Sequence, residues 1–469
     1  MPRPVWIALL LALGGAAAQA SGLQTLAPPE ASSLSRMFSL PVMAVLVGGL
    51  FMGTLAISRF SLKLGVPTVL GVLLLGLFIN TNATLFSNET IAWLHTLSLS
   101  MLLFYAGLRT ELRSIRGFLE YGVVLAVGGV IVSSLLLGLI VWFVSSPTAG
   151  GIELGFGQMP LAAALLIAAC LGSTDAGATI GVLASLPKRL PPRLQALLEF
   201  ESSVNDPAAI LFLSVVVGLF TMAHGQGGGE GLLIEQMRMF LQKIGSGLVV
   251  GVILGYGARF SLEYLVHRQE ELLILGVAIA LLSYGVAELL EGSGFIAAYA
   301  TGMFMSNHVY RNARVTPEAL LQTMLPFNTM TEIVVFLIFG LAMHPRQMLD
   351  SMPEGIAIAL GMMLIARPVS VLLFQKLSPF SLKESLLIAW CGLRGAVPLA
   401  LSFEVIKAIP NVKGIDQSLV PALVDNAEVI VFCVVVLNLL IQGLSLPHLC
   451  RALGIGETFP IGEQGEAAS

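Results

Sequence analysis

Thirteen stretches of about 20 predominantly apolar residues, each long enough for a membrane-crossing helix, set the fold of this chain. They centre near residues 49, 72, 99, 130, 171, 208, 254, 280, 298, 330, 364, 394 and 432. Such a pattern predicts an all-α polytopic membrane protein of about thirteen transmembrane helices. Composition agrees: 56% of the 469 residues are hydrophobic and only 11% charged, against roughly 25% charged in soluble domains. A net charge of −4 excludes a nucleic-acid binder, which needs a basic surface. The four cysteines (Cys170, Cys391, Cys433, Cys450) share no CxxC spacing, which argues against a disulfide framework or a zinc site. No cofactor is expected.

Arg3, the apolar run from Val5 to Leu13, and Ala18-Gln19-Ala20 read as a signal peptide over residues 1–20 with an A-x-A cleavage site. An uncleaved first helix is the alternative, and both leave the following segment outside. Residues 21–446 then form one membrane domain, with Gly225–Gly231 a flexible loop and residues 447–469 a short cytoplasmic tail. No linker is long enough to hold a soluble domain. Orientation follows from the basic residues, which favour cytoplasmic loops. Alternating the spans puts fifteen lysines and arginines on one side and six (Arg36, Arg238, Lys243, Arg346, Lys407, Lys413) on the other. The remaining three of the 24 are Arg3, Arg367 and Arg394. The fifteen mark the inside, and the C-terminus is cytoplasmic.

An ionisable group at membrane depth costs ~2.5–3.5 kcal/mol on insertion scales, so it faces a cavity and a partner. In the fifth span, Gly172-Ser173-Thr174-Asp175 interrupts LLIAAC…AGATIGVL. Ser, Thr and Asp accept hydrogen bonds from free N–H groups at a helix start, so they would cap a second half-helix. The carbonyls ending the first half-helix would be left free to face a cation, as at broken helices in transporters. The sixth span carries Glu201, Ser202, Asn205 and Asp206, paired four apart on adjoining parts of one helix face. A carboxylate as deep as Asp206 can hold a cation when charged and a proton when neutral, which makes one residue an exchange site for both.

Arg367, in the eleventh span, needs a counter-charge; Glu201 is the obvious one, with Glu332 of the tenth span as the rival. Arg394 lies between Gly392 and Gly395 and ahead of Pro398, a second break, in span twelve. Breaks seven spans apart suit two inverted repeats, with crossing broken helices that aim four dipole ends at one place. Arg394 would neutralise the carbonyl ends there. The six histidines sit mostly in loops or at span ends, without metal-ligand spacing, and read as surface residues.

These motifs, Ser173-Thr174-Asp175, Glu201-Ser202-x-x-Asn205-Asp206-Pro207, Arg367 and Gly392-Leu393-Arg394-Gly395-Ala396-Val397, together resemble monovalent cation–proton antiporters of the NhaP/NHE-type branch. The resemblance spans roughly residues 40–447 and implies a thirteen-helix homodimer in the plasma (inner) membrane, with a core domain sliding against a dimerisation domain. It implies that Asp206 exchanges Na⁺ or K⁺ for H⁺, with Thr174, Asp175 and Ser202 helping to coordinate the cation. Asn205, Ser173, Arg394 and the Glu201–Arg367 pair would support the site. An Asn before the Asp is that branch's mark of electroneutral exchange. The wording is closest to bacterial potassium/proton members, which usually carry a cytoplasmic domain after the last helix. The partners so implied are Na⁺ or K⁺, H⁺ and membrane lipid, with no nucleic acid, and the chain would be no enzyme. Two other readings are an intramembrane protease on Asp175 and Asp206, and a channel. No GxGD stretch surrounds either aspartate, and no filter loop is visible.

Overall fold

A segment immersed in hydrocarbon must bond all of its backbone polar groups internally, and this chain does so with helices. The computed structural model describes residues 48–49, 51–54, 56, 68–79, 88–145, 159–183, 190–221, 230–310, 316–343, 345–412 and 415–455. Among the described residues there is no strand, and every expected span centre falls in a helix or, at residues 171 and 394, at an interruption of one. The signal-like segment lies outside the described residues, as does the tail beyond 455. Of the expected loop at Gly225–Gly231, residues 225–229 lie outside them, and Glu230 already opens a helix. The chain divides into two units, Met1–Ile57 and Ser58–Ser469. The described part of the first is helical at residues 48–49, 51–54 and 56.

The second unit holds α1 (Thr68–Ile79), α2 (Asn88–Arg109), α3 (residues 119–145), α4 (Leu161–Cys170), α5 (Ala176–Leu183), α6 (Pro192–Thr221) and α7 (Glu230–Tyr264). There follow α8 (Gln269–Leu289), α9 (Gly294–Ser306), α10 (Pro317–Ala342), α11 (residues 345–373), α12 (Leu382–Trp390), α13 (Ala396–Ala408) and α14 (Val420–Leu453). Among the described residues, seven helices are long and apolar enough to cross a membrane unaided. Three helices contain a π turn, at Val124–Gly128 in α3, Met362–Ala366 in α11 and Asn438–Gln442 in α14. The last two adjoin the buried polar residues Arg367 and Asn438, as π turns often do at functional sites.

Small residues let helices approach where lipid supplies no hydrophobic drive. α2 crosses α9 with Gly107 against the Tyr299 carbonyl and Gly302 against the Phe104 carbonyl, contacts that leave no space for a Cβ. α1 crosses α10 likewise: a Cβ on Gly76 would lie 2.6 Å from the Leu337 carbonyl oxygen. The open carbonyls at the end of α2 are then taken by α9, with the Asn307 amide donating to Thr110 O at 2.7 Å and the Ser306 hydroxyl to Gly107 O at 3.3 Å. On α3, Val127, Ile131, Leu135, Leu139 and Phe143 form an exposed apolar ridge at a spacing of four, which faces lipid rather than water.

His95 corrects one expectation. It is only 3% exposed, its ring packed 4.5 Å from that of Phe403. The imidazole is amphipathic enough to fill a helix contact, which a count of span ends does not register.

Candidate ion-binding site at two crossing helix breaks

The half-helices α4–α5 and α12–α13 meet at their breaks. Asp175 N–H donates to Leu393 O at 2.7 Å, and the Thr179 hydroxyl donates to Cys391 O at 2.9 Å. Asp175 opens α5, its Oδ1 accepting from Ala178 N–H at 3.1 Å. Its other oxygen lies against Gly395, the residue before α13, where a Cβ would collide with it. One carboxylate therefore stands at two helix starts, where the dipoles favour negative charge.

The carbonyls ending α4 are not free, contrary to the sequence expectation. Arg394, wholly buried, donates through Nη1 to Gly172 O at 2.8 Å and to Ser173 O. Thr174 O accepts from the Ser202 hydroxyl at 2.8 Å. A guanidinium from the opposing break reaches these oxygens, so any cation here must be held chiefly by side chains. The second break is clamped from α14: Asn438 Oδ1 accepts from Arg394 N–H at 2.8 Å, and its amide donates to Gly392 O at 3.4 Å and to Gln442 Oε1 at 2.5 Å.

α6 supplies the buried carboxylates. Glu201, 2% exposed, lies 2.9 Å from Arg367 Nη2, so Glu201 and not Glu332 is the counter-charge. Arg367 in turn packs over Gly392, where a Cβ would come within 2.8 Å of its Nε. Asn205 ties α6 to the first break: its Oδ1 accepts from Thr174 N–H at 3.2 Å, and its amide donates to Thr174 Oγ1 at 2.5 Å and Glu201 Oε1 at 3.3 Å. Asp206, 8% exposed, accepts from the Ser173 hydroxyl. All nine residues singled out from the sequence thus converge. Asp206, Asp175, Thr174, Ser173 and Ser202 line one cavity of about 50 Å³, room for a few water-sized particles; Asn205, Glu201, Arg367 and Arg394 stand behind its wall.

Sequence reasoning missed part of the lining. Tyr105 and Arg109 of α2 and Asn328 of α10 border the same cavity, and Glu332 lies there rather than beside Arg367. Asn328 donates to Glu332 Oε1 at 2.7 Å. Asn328/Glu332 and Asn438/Gln442 are both polar pairs four apart inside apolar runs, the same signal that marked Glu201 and Asn205.

Two crossing broken helices around a buried carboxylate, in a bundle of apolar helices, define the class: a polytopic all-α membrane protein. The chain belongs to the sodium/hydrogen exchanger transmembrane family, whose model matches residues 32–452. It is 30% identical over 421 residues to the K⁺/H⁺ antiporter NhaP of Alkalimonas amylolytica, covering 87% of this chain and 66% of that one. It is likewise 30% identical over 418 residues to the K⁺/H⁺ antiporter NhaP2 of Shewanella oneidensis, with the same shares. The chain therefore spans just under two thirds of the length of these relatives. The fold matches that of the sodium proton antiporter MjNhaP1 from Methanocaldococcus jannaschii, with a TM-score of 0.71, 22% identity, and coverage of 88% of this chain and 99% of that one.

Proposed function

We propose that this chain exchanges a monovalent cation, Na⁺ or K⁺, for H⁺ across the plasma (inner) membrane by alternating access, the two ions competing for Asp206. One observation carries the reading. α6 buries two carboxylates five residues apart, and Glu201 is neutralised by Arg367 in a direct ion pair, whereas Asp206 makes no ion pair among the described residues and accepts a hydrogen bond from the neutral Ser173 hydroxyl. A buried carboxylate with no direct ion pair can accommodate a mobile positive charge, and a cation and a proton both serve. Asp175, Thr174 and Ser202 complete the oxygen set around it. Among the described residues Asp175 and Asp206 share no hydrogen bond, so nothing favours a protease dyad.

The cavity is bordered by the second half of α2 down to Arg109, the end that the basic-residue bias directs inward. This supports an inward-open state with a cytoplasmic C-terminus. Asn205, spent on Thr174 and Glu201, leaves Asp206 the one titrating residue of the Asn-Asp pair, which supports one cation per proton. The homodimer implied by the family resemblance belongs to the same reading. The test is cation-driven proton flux in proteoliposomes, taken cation by cation. Asp206→Ala and Asp206→Asn are expected to abolish it, and full flux in either variant would overturn the proposal. Exchange that accelerates with membrane potential would reject the one-for-one stoichiometry.

A further inference from the structure

Among the described residues the cavity lining holds one basic side chain, and the exchange reaction as proposed does not use it. Arg109 ends α2, where a guanidinium ordinarily leaves the bilayer and complements the helix dipole. Here it turns inward and lines the cavity together with Asp175, Asp206 and Glu332. It is half-buried, and among the described residues it makes no hydrogen bond or ion pair. Its distance to the first break can be bracketed at Gly177, where a Cβ would lie 3.1 Å from Asp175 Oδ1 and 3.6 Å from Arg109 Nη1. The guanidinium and the carboxylate are thus within about 7 Å, where charges still interact strongly in a partly buried site. Bulk solvent would let the side chain swing away; the α2–α9 contact at Gly107 and Gly302 instead fixes the backbone beneath it.

We propose that Arg109 is a tethered counter-cation of the ion cavity, which competes with the transported cation for the cavity carboxylates and sets how tightly that cation is held. Three carboxylates face one guanidinium, so the cavity attracts cations but never at full strength. When the transported cation enters, two positive charges share the same acidic wall. When it leaves, Arg109 supplies the compensating charge, and the acidic groups are not left bare. Arg109 is therefore a positioning and affinity-setting residue, and touches the cation only through the field they share.

This inference rests on the exchange reading, and the two can fail separately. Wild-type chain, Arg109→Gln and Arg109→Lys are reconstituted, and proton flux is measured against Na⁺ and K⁺ concentration at fixed pH. Thermal stabilisation of the detergent-solubilised proteins by the same cations gives an affinity independent of transport. Arg109→Gln is expected to lower the cation KM about tenfold, a coupling of ordinary size between two sites, with a smaller maximal rate as release slows. Arg109→Lys, which keeps the charge, stays within about twofold of wild type. A KM that is unchanged or raised in Arg109→Gln, or lowered equally in Arg109→Lys, overturns the proposal. Arg109→Met replaces Arg109→Gln if that protein does not fold, and collapse of both marks the residue as structural and overturns it too. A wild-type chain without cation-driven flux would sink the exchange reading instead.

Discussion

The two broken helices are built alike and finished differently. In α4–α5 the break presents Ser173, Thr174 and Asp175 to the cavity, and each of these side chains has a polar partner. In α12–α13 the break presents only Gly395 and the start of α13 to it, while its one charge, Arg394, points the other way and is wholly buried. α5 begins with a side-chain cap; α13 begins at Gly395 without one, because the Asp175 carboxylate stands where that side chain would go. On the proposed reading one break handles ions and the other holds it in shape. Charge is arranged to match, negative toward the cavity and positive toward the carbonyl ends behind it.

The largest expected effect comes from removing the brace. Arg394→Met deletes two charge-assisted hydrogen bonds to Gly172 and Ser173, worth about 3–5 kcal/mol together, and leaves those carbonyls unbonded. The expected result is a large drop in detergent melting temperature and in the yield of monodisperse protein. Because only Nη1 bonds these carbonyls, while Nε and Nη2 have no hydrogen-bond partner, Arg394→Lys is expected to recover much of the loss. Equal losses in both variants would show that the guanidinium's shape, not its single donor arm, holds the break.

An intermediate effect separates the two duties of Asp175. Asn caps a helix about as well as Asp, so Asp175→Asn is expected to keep the melting temperature while removing a charge from the cavity. Cation KM should rise at least about tenfold, from the loss of a close opposite charge. Asp175→Ala should show the same KM and, in addition, a stability loss of about 1 kcal/mol. A normal KM in Asp175→Asn would reduce this residue to a cap, and make the two breaks more alike than their geometry indicates.

Much of this contrast was legible in the chain. Ser, Thr, Asp and paired glycines in apolar runs mark the breaks, because lipid leaves them no other use. Glu201 and Arg367 were paired by the same logic, and packing removes the rival Glu332. Two parts were not legible. Arg394 was expected at the carbonyl ends, but that it would take the same α4 carbonyls expected to face a cation depends on two segments more than 200 residues apart meeting at one point, and local pattern carries no such distance. Arg109 sits in a last helical turn, the ordinary place for a solvated arginine, and no local pattern shows that it lines the cavity.

The smallest effect tests the contrast at the helices' outer ends. α12 starts with a capping box: Ser381 N–H donates to Glu384 Oε2 at 2.7 Å, and Glu384 N–H donates to Ser381 Oγ at 3.4 Å. α4 starts at Pro160 without a side-chain cap. α12 is thus secured at its beginning by local hydrogen bonds, whereas α4 relies on burial, with Ala162, Ala163 and Ala164 all inside the core. Ser381→Ala should cost about 1 kcal/mol, the usual worth of such a cap, and leave cation KM and maximal flux unchanged, because Ser381 lies a full half-helix from Arg394. A changed KM in Ser381→Ala would mean that strain at the start of α12 reaches the cavity. The second break would then adjust the ion site and not merely support it.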